Sequence, residues 1–264
     1  MAPGVAPGEP LLPAERRQRI LESLRSDSAI RVAVLSDRLG VSSMTIRRDL
    51  DLLERKGLVE RTHGGALLRR TRALGEFRYR ASASKHPQLK RRIARQAADM
   101  IDSGEVVFLG EGTTAALLMR HLDPGLRCRV FSNNIGAIFE AADKAAELVL
   151  LGGVYQPASQ ALAGPVTLDM ISQVLAAKTF LSADGLSLAE GVTTQTHAIA
   201  VTDRHMIRHT RGQVVLMADH TKIGRVGDYV IAEAARIDVL ITDGGAAPDF
   251  RQHLETLGVR VLVA

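Results

Sequence analysis

Apolar side chains in the first quarter of the chain fall at helical spacing, and in the remainder they gather into short runs separated by helical stretches. Behind Pro13, a residue suited to a first helical turn, Ile20, Leu21 and Leu24 share one stripe and predict a helix to about Arg25. Leu35 and Leu39 mark a second helix from about Val32, stopped by Gly40, which supplies the left-handed conformation of a sharp turn. Ser42 or Ser43 then caps a third helix whose buried stripe is Ile46, Leu50 and Leu53 and which ends at Gly57. That stripe leaves Ser43, Thr45, Arg47 and Arg48 facing outward. The following LVERTHGGALLRR alternates apolar and polar positions around Gly64 and Gly65, and reads as a hairpin.

A helix is predicted from about Leu89 to Ile101. Beyond it, seven apolar runs of strand length alternate with helical patterns: VVFLG at 106, RVFS at 129, ELVLL at 147, TFLSA at 179, VVLMA at 214, DVLIT at 238 and VRVLV at 259. The expected fold class is α/β: an N-terminal winged helix-turn-helix plus a C-terminal, mostly parallel α/β sandwich. Residues 1–13 hold four of the nine prolines, so residues 1–12 read as a disordered lead. The expected domains are then 13–68, the winged helix-turn-helix; 69–88, a basic linker without periodicity; and 89–264, the α/β domain.

Charge sharpens this division. Residues 1–80 carry 16 Lys+Arg against 10 Asp+Glu, whereas the remainder carries 18 against 19, so the surplus of +5 originates entirely at the N-terminal end. A basic small segment joined to a near-neutral larger one is the footprint of a nucleic-acid module attached to something else; a solvated basic surface is the other possibility. The single cysteine, Cys128, excludes an internal disulfide, and with no export signal at the start of the chain a cytoplasmic location is expected. No apolar run approaches the ~18 residues that span a bilayer, so no membrane partner is expected.

Two short helices joined through a glycine, with hydroxyls and paired arginines in the first turns of the second, suit entry into a DNA major groove. A helix N-terminus favours phosphate, and arginine grips guanine edges bidentately. The arginine pair fits a second description equally well, an ordinary salt-bridged helix face with Asp49, Asp51 and Glu54. His63 at the hairpin tip is either a groove or backbone contact or a simple loop residue.

In a parallel sheet ligands bind beyond the carboxyl ends of the strands. There, GEGTT places Gly110, Gly112, Thr113 and Thr114 between strand and helix, so that backbone N–H groups and two hydroxyls can surround an anion; alternatively the glycines serve only a tight turn. Gly110, Gly112 and Ala115 match a dinucleotide fingerprint formally. The next strand, however, ends in Ser132, Asn133 and Asn134 with no carboxylate for a ribose hydroxyl, so no nicotinamide cofactor is expected. Other strand ends supply Asn133, Asp184, Asp219, Lys222 and Asp243. An Asp and a Lys three apart can take a sugar hydroxyl and a phosphate, or form a surface ion pair.

The run VLSDRLGVSSMTIRRDLDLLERKGLVERTHGGA resembles the DNA-binding region of the DeoR family of repressors, TIRRDL and RTHGGA being its distinguishing parts. GEGTT, FSNN, LLGG, SADG, EGVTT and ADHTKIG are similar, in order and spacing, to that family's sensor domain, itself similar to ribose-5-phosphate isomerase. The resemblance implies a transcriptional repressor of carbohydrate genes rather than an enzyme, acting as a homo-oligomer on a double-stranded DNA operator and answering to a small phosphorylated sugar. It implies groove and phosphate contacts by Thr45, Arg47 and Arg48, with His63 and Gly64 at the wing. In the sensor it places Gly112, Thr113 and Thr114 at the effector phosphate, and Asp184, Asp219 and Lys222 around the sugar. The chain departs from the family pattern at Met44, where an acid is common; at Gly110, often an aspartate; and at 196–199, where Thr196, His197, Ala198 and Ile199 replace an acidic stretch.

A sugar-phosphate isomerase with an appended DNA-binding domain is the alternative. It would need a carboxylate base, and the helix over roughly 195–209 offers only Asp203. His205 and His209 share a helix face near His197 and Asp203, but Met206 stands where a hydrolytic zinc helix carries glutamate, so no metal is expected.

Overall fold

A computed structural model describes residues 12–27, 29–55, 58–62, 64–68, 79 and 82–264. The chain divides into two compact units, Met1–Leu74 and Gly75–Ala264.

In the first unit, α1 (Pro13–Asp27), β1 (Ala29–Arg31), α2 (Val32–Leu39) and α3 (Ser43–Arg55) precede the hairpin β2 (Val59–Thr62) and β3 (Gly65–Leu68). The core is the set of apolar stripes legible in the sequence, with Ile20, Leu24, Leu35, Ile46 and Leu50 fully buried. The Ser42 hydroxyl accepts the N–H of Thr45 at 3.2 Å, so Ser42 rather than Ser43 caps α3. Gly40 closes α2 at φ 64°. The strands form an antiparallel sheet in the order β1-β3-β2, a winged helix-turn-helix. The sheet requires glycine at 65: a Cβ there would stand 2.3 Å from the Ile30 carbonyl oxygen, inside the β1 backbone. Gly65→Ala is therefore expected to destabilise this unit by about 1–3 kcal/mol. Amide exchange in the full-length chain tests this: protection should fall over 29–31 and 65–68 while the second unit keeps its own, and undiminished protection would contradict it.

The second unit is built on a seven-stranded, wholly parallel sheet in the order β15-β14-β12-β9-β4-β5-β6. Its elements run α4 (Pro87–Ala98), β4 (Val106–Leu109), α5 (Thr113–His121), β5 (Arg129–Ser132), α6 (Gly136–Glu140) and β6 (Glu147–Leu150); then a hairpin of β7 (Val154–Gln156) and β8 (Ala161–Ala163); then α7 (Pro165–Ser172) and β9 (Ala176–Ser182). β10 (Gly185–Ser187), β11 (Gly191–Thr194), α8 (His197–Arg208), β12 (Thr210–Met217), β13 (Tyr229–Ala232), β14 (Val239–Thr242), α9 (Pro248–Thr256) and β15 (Arg260–Val263) complete it. The seven sheet strands are the seven apolar runs. Their patterns are continuous because both faces are covered: Phe108, Leu181, Leu216 and Leu240 pack into one core, and Val107, Leu109, Phe180, Val215 and Ile241 into the other. β10, β11 and β13 form a separate small antiparallel sheet that the sequence pattern did not announce.

Strand order locates the site. From β4 the chain moves one way to β5 and β6, then returns to place β9 on the other side of β4 and continues outward through β12, β14 and β15. The crevice beyond the carboxyl ends of β4 and β9 is thus the topological switch point, where parallel sheets bind ligands.

Candidate functional site

The first unit presents the outer face of α3. Ser43, Arg47 and Arg48 are exposed, as is Met44, whereas Thr45 is half-buried and its hydroxyl lies 2.9 Å from that of Ser42. The acids that could neutralise the arginines are engaged elsewhere. Asp49 is buried, with Arg16 Nε at 2.5 Å and Arg17 at 3.7 Å; Asp51 pairs with Arg61; and Glu54 accepts the Arg61 N–H at 3.2 Å. Among the described residues no side chain pairs with Arg47 or Arg48, so the salt-bridged face is not what the fold builds. Gly64 lies in the turn between β2 and β3; His63 lies outside the described residues, as do Gly57, 1–11 and 69–78.

In the second unit, GEGTT follows β4 at the switch point. Gly112 stands at φ 108° immediately before α5, and a Cβ there would press on Ser182 at 3.0 Å, so glycine is required both for the turn and for the approach of β9. Asn134 shapes the loop, its Nδ2 donating to the carbonyls of Gly112 at 2.9 Å and Gly110 at 3.3 Å while its Oδ1 accepts from the Gly136 N–H. Thr113 and Thr114 are buried in the first turn of α5. The Lys90 ammonium reaches Thr113 Oγ1 at 2.9 Å from α4 and also donates to Ser82, to the carbonyl at 2.5 Å and the hydroxyl at 3.3 Å. Lys90 is only 3% exposed, and burial lowers its pKa to about 8, against the pull of Asp219.

The remaining expected groups are distributed less evenly. Asp184 Oδ2 accepts from the Gln195 N–H and the Thr194 hydroxyl, and its Oδ1 faces Lys222 at 3.7 Å. Lys222 therefore leans to Asp184, not to Asp219, whose Oδ1 accepts the Thr221 N–H at 2.9 Å and caps a helical turn. Asn133 is clasped to β8 through Leu162, with no hydrogen bond to the GEGTT loop among the described residues. Asp243 is engaged with His220: burial would raise it, but N–H bonds from His220 and Gly245 hold it below the usual carboxylate range.

Three groups not singled out from the sequence belong to this crevice: Lys90, Asn134 and Ser182. Asp203, weighed as an isomerase base and as a neighbour of the histidine pair, is the fourth. It is 1% exposed, and its Oδ1 would lie 3.5 Å from a Cβ at Gly110, a position where Leu181 leaves no room for one either. Burial, followed by the charge of Asp184, pushes Asp203 up to about 8. Half-buried Glu111 is likewise raised well above its ordinary value by burial, then by Asp203 and Asp184. Between the unfolded value of 3.8 and about 8 the folded chain holds a proton on Asp203 that the unfolded chain releases, so stability falls as pH rises through that window. Asp203→Asn should flatten this dependence and stabilise the fold by roughly 2 kcal/mol at pH 8 but little at pH 4. Urea denaturation at both values is the check, and an equal effect at both would contradict it.

Among the described residues, four of the nine buried side-chain atoms without a hydrogen-bond partner, Asn133 Oδ1, Ser182 Oγ, Asp203 Oδ1 and Thr242 Oγ1, lie at or beside this carboxyl edge. Of these, Ser182 Oγ and Asp203 Oδ1 stand beside the GEGTT loop, and unspent hydrogen-bonding capacity there is what a polar ligand satisfies. His205 and His209 pack at a tilt of 42° with ring centroids 4.7 Å apart, and no third metal-ligating side chain joins them among the described residues. Among the same residues no helix is long and apolar enough to cross a membrane.

Residues 16–72 match the DeoR-like helix-turn-helix domain and residues 85–244 the DeoR C terminal sensor domain. The chain is 34% identical over 253 residues to the HTH-type transcriptional regulator GlpR of Haloferax volcanii, covering 96% of this chain and 98% of that one. It is 31% identical to a putative aga operon transcriptional repressor of Escherichia coli O157:H7 (95% of this chain, 93% of that one), and 31% identical to the lactose phosphotransferase system repressor of Lactococcus lactis (91% and 93%). Among solved structures, ribose 5-phosphate isomerase A of Methanocaldococcus jannaschii aligns at TM-score 0.39 and 19% identity over 53% of this chain and 55% of that one. The sorbitol operon regulator SorC of Klebsiella pneumoniae aligns at TM-score 0.39 and 12% identity over 91% and 98%.

Proposed function

This chain belongs to the DeoR family of DNA-binding transcriptional regulators, and from that premise we propose that it represses carbohydrate-metabolism genes, with an operator affinity altered by a phosphorylated sugar. The observation that carries the effector half is Lys90: a lysine buried in the protein, its ammonium 2.9 Å from the first hydroxyl of a helix that opens at the sheet's switch point. Such a charge is costly to bury unless an anion completes it, and the N-terminus of α5 with Gly112, Thr113 and Thr114 supplies the other donors for a phosphate. Asp184, Asp219, Lys222 and Ser182 border the space for the sugar, with Asn133 set toward β8. On α3, Ser43, Thr45, Arg47 and Arg48 take the groove and adjacent phosphates, and the wing at 63–64 takes the neighbouring backbone.

The same lysine supplies a route from effector to DNA. It holds Ser82, which lies shortly after the boundary between the units, and a phosphate at Thr113 competes for its three donors. Tyr79 lies still closer to that boundary. Its hydroxyl stands 2.2 Å from where a Cβ of Gly136 would be, beside the residue that anchors the GEGTT loop, and burial raises it to about 12. The bound effector thereby favours one arrangement of this segment, and in a homo-oligomer that reorients paired reading heads; differential affinity for the two arrangements is all that is needed. The isomerase reading is disfavoured because the relatives that match nearly the whole chain are transcriptional regulators and repressors.

Isothermal calorimetry tests the effector half. Pentose and hexose phosphates should bind the purified chain, and the same sugars without phosphate should not. Equal binding of both sets, or of neither, would reject it.

A further inference from the structure

Helix α4 divides cleanly into two faces. Lys90, Ile93, Ala94 and Ala97 are buried along one, while Gln88, Arg91, Arg92 and Arg95, spaced i, i+3, i+4 and i+7, are exposed along the other. Among the described residues no side chain pairs with any of these three arginines. The helix itself holds no acid, and acids of neighbouring elements are spent elsewhere: Glu140 of α6 on Arg120 of α5, and Glu105, ahead of β4, on Lys178. Residues 85–98 carry five Lys+Arg and no Asp+Glu, whereas 99–264 carry 13 against 19. The stripe is thus a local concentration of positive charge joined to a net acidic remainder. Charge kept only for solubility intersperses both signs, whereas three unpaired cations on one helix face are the footprint of a polyanion.

We propose that Arg91, Arg92 and Arg95 bind the phosphate backbone of duplex DNA, so that the second unit adds sequence-independent affinity to the reading done by α3. The inference rests on DNA binding by the chain and is independent of the effector reading. Duplex is favoured over an acidic protein because the chain itself supplies it: once α3 holds an operator, phosphates are tethered to the same polypeptide at high effective concentration. A guanidinium fork matches two phosphate oxygens. The mount is rigid, since Ile93, Ala94 and Ala97 are fully buried and Lys90 ties the helix to Thr113 and Ser82, so only the three side chains are ordered on binding. Backbone contacts carry no base information, and each phosphate neutralised releases condensed counterions. Three such contacts steepen the fall of log affinity with log salt by about 2–3.

Fluorescence anisotropy of the full-length chain decides the matter, on a fragment of its own promoter and on an equal length of random duplex, between about 50 and 200 mM salt. Arg91→Gln, Arg92→Gln and Arg95→Gln together remove the charge while keeping helix propensity, so circular dichroism and melting should match the parent. This triple variant should bind both duplexes more weakly by the same factor, roughly ten- to a hundredfold at physiological salt, with a salt slope shallower by about 2–3 and an unchanged promoter-to-random ratio. Lysine at the same three positions should restore affinity and slope. Parent-like affinity and slope in the glutamine variant would overturn the inference while leaving recognition by α3 standing. A changed promoter-to-random ratio would contradict it by placing the stripe at base edges. Polyglutamate titrated in place of DNA reads the other partner: binding lost in the triple variant, with the DNA slope unmoved, would assign the stripe to an acidic protein and reject the proposal. A parent chain that binds no duplex at all would remove both the DNA-binding reading and this inference.

Discussion

Alanine at both Arg47 and Arg48 is expected to abolish selection of the operator over random duplex. Each bidentate arginine contact to a guanine edge contributes about 1–3 kcal/mol of discrimination, so the pair together should cost roughly 2–5 kcal/mol of specific affinity. The fold should not suffer. Both side chains are exposed and unpaired among the described residues, and the acids of the same helix are held by Arg16, Arg17 and Arg61. Circular dichroism and melting of the variant should match the parent, while fluorescence anisotropy on a promoter fragment shows the loss. Lysine at the same two positions keeps the charge but not the fork, so it should retain the salt dependence of non-specific binding while still losing sequence preference. A double alanine variant that selects its operator as the parent does would remove α3 from the interface.

The second large effect is expected at Lys90. Lys90→Met keeps the aliphatic stem and removes the ammonium, so the variant should fold at least as well as the parent yet bind phosphorylated sugars about a hundredfold more weakly, a loss of ~2.7 kcal/mol for a buried charge-assisted contact. Operator binding without effector should persist, and the response to effector should vanish. In the parent the ammonium begins to discharge near pH 8, so phosphate affinity should fall as pH rises through that value, with the parent at pH 7 as the reference. Calorimetry at both values reads this directly; unaltered affinity in Lys90→Met would place the phosphate elsewhere.

Much of the fold was legible for a simple reason. Stripes such as Ile46, Leu50 and Leu53 repeat over several turns, and the parallel strands, buried on both faces, are continuous apolar runs. What escaped was short. β1 has three residues, and β10, β11 and β13 have three or four each, too few to establish an alternation. The candidate site was legible in its backbone, the GEGTT turn between strand and helix, but not in the groups that give it charge. Lys90 looked like one cation in a basic stretch, and only the fold carries its ammonium to Thr113. A signal was nonetheless present: Lys90 lies on the same helical stripe as Ile93, Ala94 and Ala97, Asp203 on that of Ile199, Met206 and Ile207, and Asp49 on that of Ile46, Leu50 and Leu53. An ionisable residue at an apolar-stripe position is buried with a partner or awaiting one. Asp49 has Arg16, Lys90 has Thr113 and Ser82, and Asp203 has an oxygen still unsatisfied.

The central claim is that one unit grips duplex DNA and the other alters that grip on binding a phosphorylated sugar without converting it. The measurement that tests it most directly is anisotropy of a labelled fragment from the chain's own promoter at physiological salt, against an equal length of random duplex, with and without phosphorylated sugars. The expected result is a preference for the promoter fragment that a phosphorylated sugar shifts, in the parent chain but not in Lys90→Met, with the sugar recovered unchanged. Promoter and random duplex bound alike under every condition, or a preference that no phosphorylated sugar moves, would contradict it.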